Sequence, residues 1–338
     1  MPTALATGAR RRALIAATTL IGLGGMTWAS QALAQAGPAY PQRPVRLVVG
    51  FPAGSGPDIV ARLLAQKLSE GWGNMGVIVD NKPGAGGLIA ASEVARAQPD
   101  GYTLMLGETG QLAIAPSSYS KLPYDPKKDF VPVSQVVTSS FMLLVNPAKV
   151  PARDVAQFVA WSRGQKGLFM GTFGAGTPGH FGAFLFGDAI GIKPEPVHYK
   201  TTGDALGGLF SGDVSGAFAS VGLSAANVKA GKLLALASSG DARSASLPDV
   251  PTFREQGFPQ LAFNSWFGVV APARTPPDIV ARLESDIRKA VQSAEGKAKL
   301  EDAGFSVTGT TSQEFARVIA ADTASWGKVV AATGFKAD

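Results

Sequence analysis

The chain has 338 residues, of which 46% are hydrophobic and 17% are charged, and it contains no cysteine. Such a length and composition predict about two folded domains with a sizeable core and little disorder. The lack of cysteine excludes disulfides, thiolate metal sites and a cysteine nucleophile. A net charge of +6 without a basic stripe argues against a nucleic-acid partner.

Residues 1–34 have the pattern of a signal peptide. Three arginines at 10–12 precede an apolar stretch over 13–27, and Ala32-Leu33-Ala34 fits an A-x-A cleavage site. The apolar stretch is shorter than the ~20 residues of a spanning helix, although a membrane anchor is the alternative. We therefore expect export by the Sec or twin-arginine route, cleavage after Ala34, and a periplasmic protein. Because the segment holds three arginines and no acid, the net charge falls to +3.

The first third of the chain alternates strands with helices. A short buried strand within Pro44–Gly50 is followed by a Gly-rich loop, and Asp58 opens a helix that ends at Gly71. The pattern then repeats with a strand at 77–79, a Gly-rich loop at 81–87, a helix at 88–97 and a strand at 102–106. This alternation predicts an α/β fold with a mainly parallel sheet and helices on both faces.

The alternation restarts in the middle of the chain. Strands are predicted at 141–145, 168–172, up to Tyr199, and at 214–219, 233–237 and 265–271. Helices are predicted at 155–162, after a third Gly-rich loop at 173–179, at 204–210, from Pro276 to about Val291, and at 313–330.

Gly174-Ala175-Gly176-Thr177-Pro178-Gly179 fits the G-x-G-x-x-G pattern, after a strand and before a helix. A dinucleotide site and a plain tight turn are both alternatives. The position in mid-chain, Pro178 and export from the cytoplasm all weigh against a dinucleotide. Without a nucleotide, the glycines still bring N–H groups close to a ligand, and the helix N-terminus favours negative charge. Thr177 can cap the helix or donate its hydroxyl group.

The loop from Phe51 to Asp58 has the same character. It lies between a strand and a helix N-terminus, but it does not match G-x-x-x-x-G-K-[ST], so a nucleoside triphosphate is not expected. One such loop in each half of the chain would place two helix ends around a single anion, because open α/β sheets bind ligands at the carboxyl ends of their strands.

Catalytic patterns are missing from the sequence. His180 and His198 are the only histidines, Ser55 is not in a G-x-S-x-G turn, and no H-E-x-x-H or other metal-ligand cluster occurs. We therefore expect no enzymatic activity, no metal and no cofactor. His180 would either donate a hydrogen bond in the site or lie on a helix surface, and Trp266 and Phe267 would either border the cleft or pack in the core.

Nine further segments have a recognisable order and composition: Tyr40–Val49, Phe51–Gly54, Asp58–Arg62, Asn81–Gly87, Pro99–Leu104, Leu122–Asp125, Ala230–Leu233, Leu247–Thr252 and Trp266–Gly268. In combination they resemble the motifs of one family, the Bug or TctC-type substrate-binding proteins of tripartite tricarboxylate transporters. They extend over essentially the whole chain after residue 38.

This resemblance implies a two-lobed Venus-flytrap fold of type II, with one lobe from 38–138 plus 263–338 and the other from 139–262. It implies a small carboxylate in the cleft, held largely by backbone groups of the loops at 51–58 and 173–180, and two integral-membrane partner subunits; we expect a monomer. The expected ligand-binding residues are Phe51, Ala53, Gly54, Ser55, Asp58, Gly174, Ala175, Gly176, Thr177, His180, Tyr199 and Ala219.

The chain departs from the family pattern at the expected cleft rim. Ser55 stands where a second Gly is typical, Pro57 where a Thr or Ser is typical, and Ala219 where an Asp is frequent. The typical V-P-Y-K-G is Val197-His198-Tyr199-Lys200-Thr201 here. These departures leave a di- or tricarboxylate, an aromatic carboxylate and an amino acid all open as ligands. A binding protein for a membrane sensor and an exported hydrolase are the alternative functions.

Overall fold

Ten strands form one continuous hydrogen-bonded network in this computed structural model, which describes residues 40–199 and 201–337. The expected signal peptide and its cleavage site lie outside these ranges. The strands are β1 Val45–Val49, β2 Val77–Asn81, β3 Thr103–Glu108, β4 Phe130–Val145, β5 Leu168–Thr172, β6 Pro194–His198, β7 Gly216–Ser220, β8 Leu234–Ser238, β9 Asn264–Pro272 and β10 Ser306–Val307.

The α-helices alternate with these strands. They are α1 Gly56–Gly71, α2 Leu88–Ala95, α3 Ala115–Ser118, α4 Val155–Ser162, α5 Pro178–Ile190, α6 Thr202–Ser211, α7 Val221–Lys229, α8 Pro277–Gln292, α9 Ala294–Asp302 and α10 Ser312–Thr333. Short 3-10 turns lie at Ala85–Gly87 and Pro259–Leu261, and a π-helical turn lies at Gly110–Ile114.

The strand order is β2-β1-β3-β9-β4-β7-β5-β6, with β8 and β10 also paired to β4. Strands β1, β2 and β3 are mutually parallel around β1, and β5 is parallel to both β6 and β7. The antiparallel β9 and β4 join these two parallel sets. The α/β class predicted from the alternating pattern is therefore confirmed.

Strand β4 is much longer than the five-residue strand predicted at 141–145. Its first part, up to Ser140, pairs with β9, and its last part, from Phe141, pairs with β7 and β8. The first part includes Ser134 and Gln135, which are buried but polar, and Pro132, which breaks the apolar run. Those residues hide the strand from a search for apolar segments.

Packing of apolar side chains covers both sides of this network. The largest fully buried side chains include Phe158, Phe181, Phe186, Phe218, Phe253 and Phe315. Several of these rings meet edge-on or tilted, as Phe186 and Phe218 do at 6.2 Å between ring centroids. Among the helices in the described ranges, none is both long and apolar enough to cross a bilayer.

Candidate functional site

The 51–58 loop leaves the carboxyl end of β1 and leads into α1. Ser55 occupies the N-cap position, but its side chain caps no N–H group; its hydroxyl donates to the carbonyl of Pro52 at 2.6 Å. Pro57 has no N–H to offer. Among the described residues the N–H groups of Gly56 and Asp58 have no hydrogen-bond acceptor. The helix start therefore has two N–H groups that are free to donate hydrogen bonds.

Asp58 is only 2% exposed. Its carboxylate lies against the 51–58 loop and holds the loop in place through hydrogen bonds. The carboxylate accepts hydrogen bonds from the Gly54 N–H at 2.8 Å, Arg62 Nε at 2.9 Å and Asn81 Nδ2 at 2.9 Å. Burial works to raise the pKa of Asp58, but the donors Arg62, Gly54 and Asn81 outweigh it and the pKa is lowered. Asp58 is thus an ionised anchor of the loop.

The 173–180 loop leads from β5 into α5 and has a complete N-cap. Thr177 accepts from the His180 N–H at 3.4 Å and donates to the Gly174 carbonyl at 2.8 Å. This confirms the capping role predicted for Thr177. Ala175 is exposed at the tip of the loop. In the described part of the chain the N–H groups of Ala175 and Thr177 make no hydrogen bond.

His180 is buried inside the 173–180 loop and not on a helix surface. Its Nδ1 accepts from the Gly176 N–H at 3.1 Å, while Nε2 is buried without a partner in the described ranges. Burial and the neighbouring His198 lower the pKa of His180 to about 3, so the ring is neutral at pH 7. As the acceptor of this hydrogen bond, the His180 side chain holds the backbone of Gly176 in place. We therefore expect His180 to affect a ligand only through the position of that backbone.

Phe335 covers the outer side of this histidine. Its ring centroid lies 4.7 Å from that of His180, and His198 lies at the same distance on another side. The residues after α10 thereby reach the 173–180 loop, and the Ala337 N–H donates to the Ser118 carbonyl at 2.8 Å. The segment after α10 therefore packs against the 173–180 loop.

The turn after β3 forms a third wall, which the sequence analysis did not identify. Gln111 is fully buried; its Oε1 accepts from the Glu108 N–H at 3.0 Å and its Nε2 donates to the Gly87 carbonyl at 2.9 Å. An added Cβ on Gly110 would lie 4.0 Å from the Gly176 carbonyl oxygen. The 173–180 loop therefore lies against this turn. Since β1 and β3 are parallel neighbours, the turn emerges at the same sheet edge as the 51–58 loop.

Two of the expected binding residues, Tyr199 and Ala219, lie outside the two loops. The Tyr199 ring packs against Gly208 of α6 and about 3.6 Å from a Cβ placed on Gly171. The Ala219 side chain is 1% exposed and belongs to an apolar cluster with Met142 and Leu144. Only the backbone of Ala219 can therefore face a ligand.

Trp266 and Phe267 pack in the core. Trp266 is 3% exposed and its Nε1 donates to Asp322 at 2.6 Å, while Phe267 packs against Phe305 at 5.6 Å between ring centroids. Of the two positions expected from the sequence, the cleft border and the core, these two aromatics occupy the core.

The arrangement is suited to hold a small anion through backbone N–H groups. Two helix N-termini with unpaired N–H groups act as partial positive charges at two Gly-rich loops. Within the described residues no cluster of three or more His, Cys, Asp or Glu is placed to hold a metal ion. The Asp58 carboxylate accepts from three donors, the Gly54 N–H, Arg62 and Asn81, and so serves to hold the loop.

Known proteins resemble this chain in both sequence and fold. The sequence model of the "Tripartite tricarboxylate transporter family receptor" (TctC) family matches residues 60–335. Protein BugT of Bordetella pertussis is 32% identical over 299 residues, which are 88% of this chain and 91% of BugT.

Two solved structures with bound ligands are similar in fold. R. palustris Rpa4515 with adipate has a TM-score of 0.82 and 34% identity, covering 88% of this chain and 99% of that one. MatC (Rpa3494) from Rhodopseudomonas palustris with bound malate has a TM-score of 0.78 and 30% identity, covering 86% and 100%.

Proposed function

Because the chain belongs to the TctC family of tripartite tricarboxylate transporter receptors, we propose that it captures a small organic carboxylate. The chain is a periplasmic solute-binding protein with the two-lobed α/β fold of its relatives, and it is not an enzyme. The observation that supports a carboxylate most strongly is the pair of loop–helix junctions with unpaired N–H groups at 51–58 and 173–180. The adipate and malate held by two solved relatives are of the same chemical class.

We propose that the lobes have the boundaries expected from the sequence, 38–138 plus 263–338 and 139–262. The change of partner along β4 near Ser140, and the position of β9 beside it, support these boundaries. Closure of the lobes brings both loops onto the ligand. Small-angle scattering with and without a saturating ligand measures closure as a smaller radius of gyration, and an unchanged radius contradicts it.

A thermal-shift screen of the mature protein, residues 35–338, tests the proposed function. At ~100 times its dissociation constant a true ligand adds ~2.7 kcal/mol to stability, which raises the melting temperature by several degrees. We expect at least one di-, tri- or aromatic carboxylate, or an amino acid, to give this shift, and neutral sugars and alcohols to give none. Shifts from sugars alone would contradict the proposal.

We further propose that two integral-membrane subunits accept the ligand, as the family description suggests. Export follows from the signal-like segment at 1–34, and intact mass of the periplasmic protein should show an N-terminus at Gln35. Deletion of the gene should abolish uptake of the labelled carboxylate. Normal uptake with a lost transcriptional response would instead indicate a sensor partner.

A further inference from the structure

We propose that Glu108 determines the specificity of this carboxylate site by donating a hydrogen bond from its carboxyl group to a carboxylate oxygen of the ligand. The inference rests on the proposed function and deepens it, because it assigns a side chain of this chain to the ligand. The inference also restricts the ligand to carboxylates that place no ammonium group next to the turn after β3.

Glu108 is the last residue of β3 and lies at the wall that the 173–180 loop faces. A Cβ placed on Gly110 would lie 2.7 Å from Glu108 Oε1 and 4.0 Å from the Gly176 carbonyl oxygen. The carboxyl group and the Gly176 carbonyl oxygen of the loop therefore both lie close to Gly110. A side chain at Gly110 would clash with the Glu108 carboxyl group.

Glu108 is a nearly buried acid without a partner. The residue is 8% exposed, and in the described ranges its side chain makes no hydrogen bond or ion pair. Its oxygens are not among the fully buried, unpartnered atoms of the described residues, so they keep a small accessible surface. A polar group with so little access to water is costly unless something satisfies it. A ligand atom that reaches this accessible surface would do so.

Burial raises the pKa of Glu108 to about 8, so the group is mainly a neutral acid at pH 7. Two titratable neighbours leave the Glu108 carboxyl group neutral. The Tyr124 hydroxyl donates to the Gln111 carbonyl at 2.8 Å, and His180, which accepts from the Gly176 N–H, is itself neutral. On the adjacent strand β9 the residue opposite Glu108 is the apolar Phe267. The wall therefore offers an O–H donor where an ionised acid would repel a carboxylate.

Two substitutions separate the donor from the charge. Glu108→Gln keeps a donor at every pH, whereas Glu108→Ala removes it. The probes are malate, adipate and aspartate; aspartate is malate with an ammonium group in place of its hydroxyl. Calorimetry at about pH 6 and about pH 9 measures the affinity of each protein for each probe, and thermal unfolding checks that each variant is folded.

We expect wild-type affinity for malate or adipate to fall as the pH rises through the Glu108 pKa, by about tenfold for each further pH unit. Glu108→Gln should keep the affinity measured at about pH 6 and lose the pH dependence. Glu108→Ala should bind at least about tenfold more weakly at about pH 6.

Three results would overturn parts of the account and are distinguishable. Wild-type binding of malate or adipate that is independent of pH and unchanged in Glu108→Ala would remove Glu108 from the site. Tighter binding of aspartate than of malate, with a loss of more than about tenfold in Glu108→Gln, would mean that Glu108 is ionised and holds an ammonium group. Failure of the wild type to bind any acid in the thermal-shift screen would instead contradict the proposed function itself.

Discussion

Replacing Gly176 by valine should abolish ligand binding while the protein keeps its fold. Gly176 has φ +75°, a backbone conformation that a β-branched residue adopts only under strain. Its N–H is held by His180 Nδ1, so the loop can accept valine only by moving away from that contact. The N–H groups of Ala175 and Thr177 then leave their positions. Calorimetry with a carboxylate found by the screen measures the loss, and far-UV circular dichroism measures the fold.

Gly191→Val is the matched control, because Gly191 has φ +68° at the other end of the same helix α5. A Cβ there would meet no atom within 4 Å. Both substitutions should cost about 1–2 kcal/mol of stability from the strained backbone. Gly191→Val should bind with wild-type affinity. If Gly176→Val binds as well as Gly191→Val does, the 173–180 loop is not part of the site.

Asp58→Ala should lower the free energy of unfolding by about 3 kcal/mol at pH 7, because three donors lose a buried charged acceptor. The same change should weaken ligand binding, since the Gly54 N–H and Asn81 no longer hold the 51–58 loop. Because the folded-state pKa of Asp58 is lowered, its contribution is present above the ordinary value of 3.8 and is lost as the pH falls through the folded pKa. The difference between wild type and variant in chemical denaturation should therefore shrink in acid.

Glu301→Ala is the control for an ordinary carboxylate on a helix. Glu301 pairs with Lys297 one turn earlier at 3.8 Å, and both side chains are largely exposed. Exposed pairs contribute little, so this change should stay within about 0.5 kcal/mol of the wild type. Equal effects of Asp58→Ala and Glu301→Ala would show that Asp58 does not anchor the loop.

Much of the fold could be predicted because apolar runs and Gly-rich loops alternate so regularly. The strand predicted at 168–172 and the helix predicted at 155–162 match the structure to the residue. Helix α9 is not predicted because it is mostly polar. Only Gly296 and Leu300 of it are buried, so it has no apolar face that a sequence pattern could show. Helix α7 is not predicted because only Val221 and Ser224 of it are buried, which leaves no apolar face to recognise.

The two loops could be predicted as candidate sites because strand, glycines and helix follow each other directly in sequence. The third wall could not be predicted, because Glu108 and Gly176 are distant in the chain. Their halves are joined through the antiparallel pairing of β9 and β4 between β3 and β7. A signal for Glu108 does exist: an acid follows the buried run Leu104–Gly107. The burial of His180 depends on Phe335, which no local pattern links to it.

Isothermal titration of one ligand acid and its methyl ester tests the central claim most directly, because the ester adds one methyl group and lacks the charge that the helix ends would hold. Hydrogen bonds to a charged group contribute about 1.5–3 kcal/mol, and ~1.4 kcal/mol corresponds to a tenfold change in affinity. The carboxylate with the largest thermal shift should therefore bind at least about tenfold more tightly than its ester. Equal affinities would mean that the loops at 51–58 and 173–180 do not hold a carboxylate.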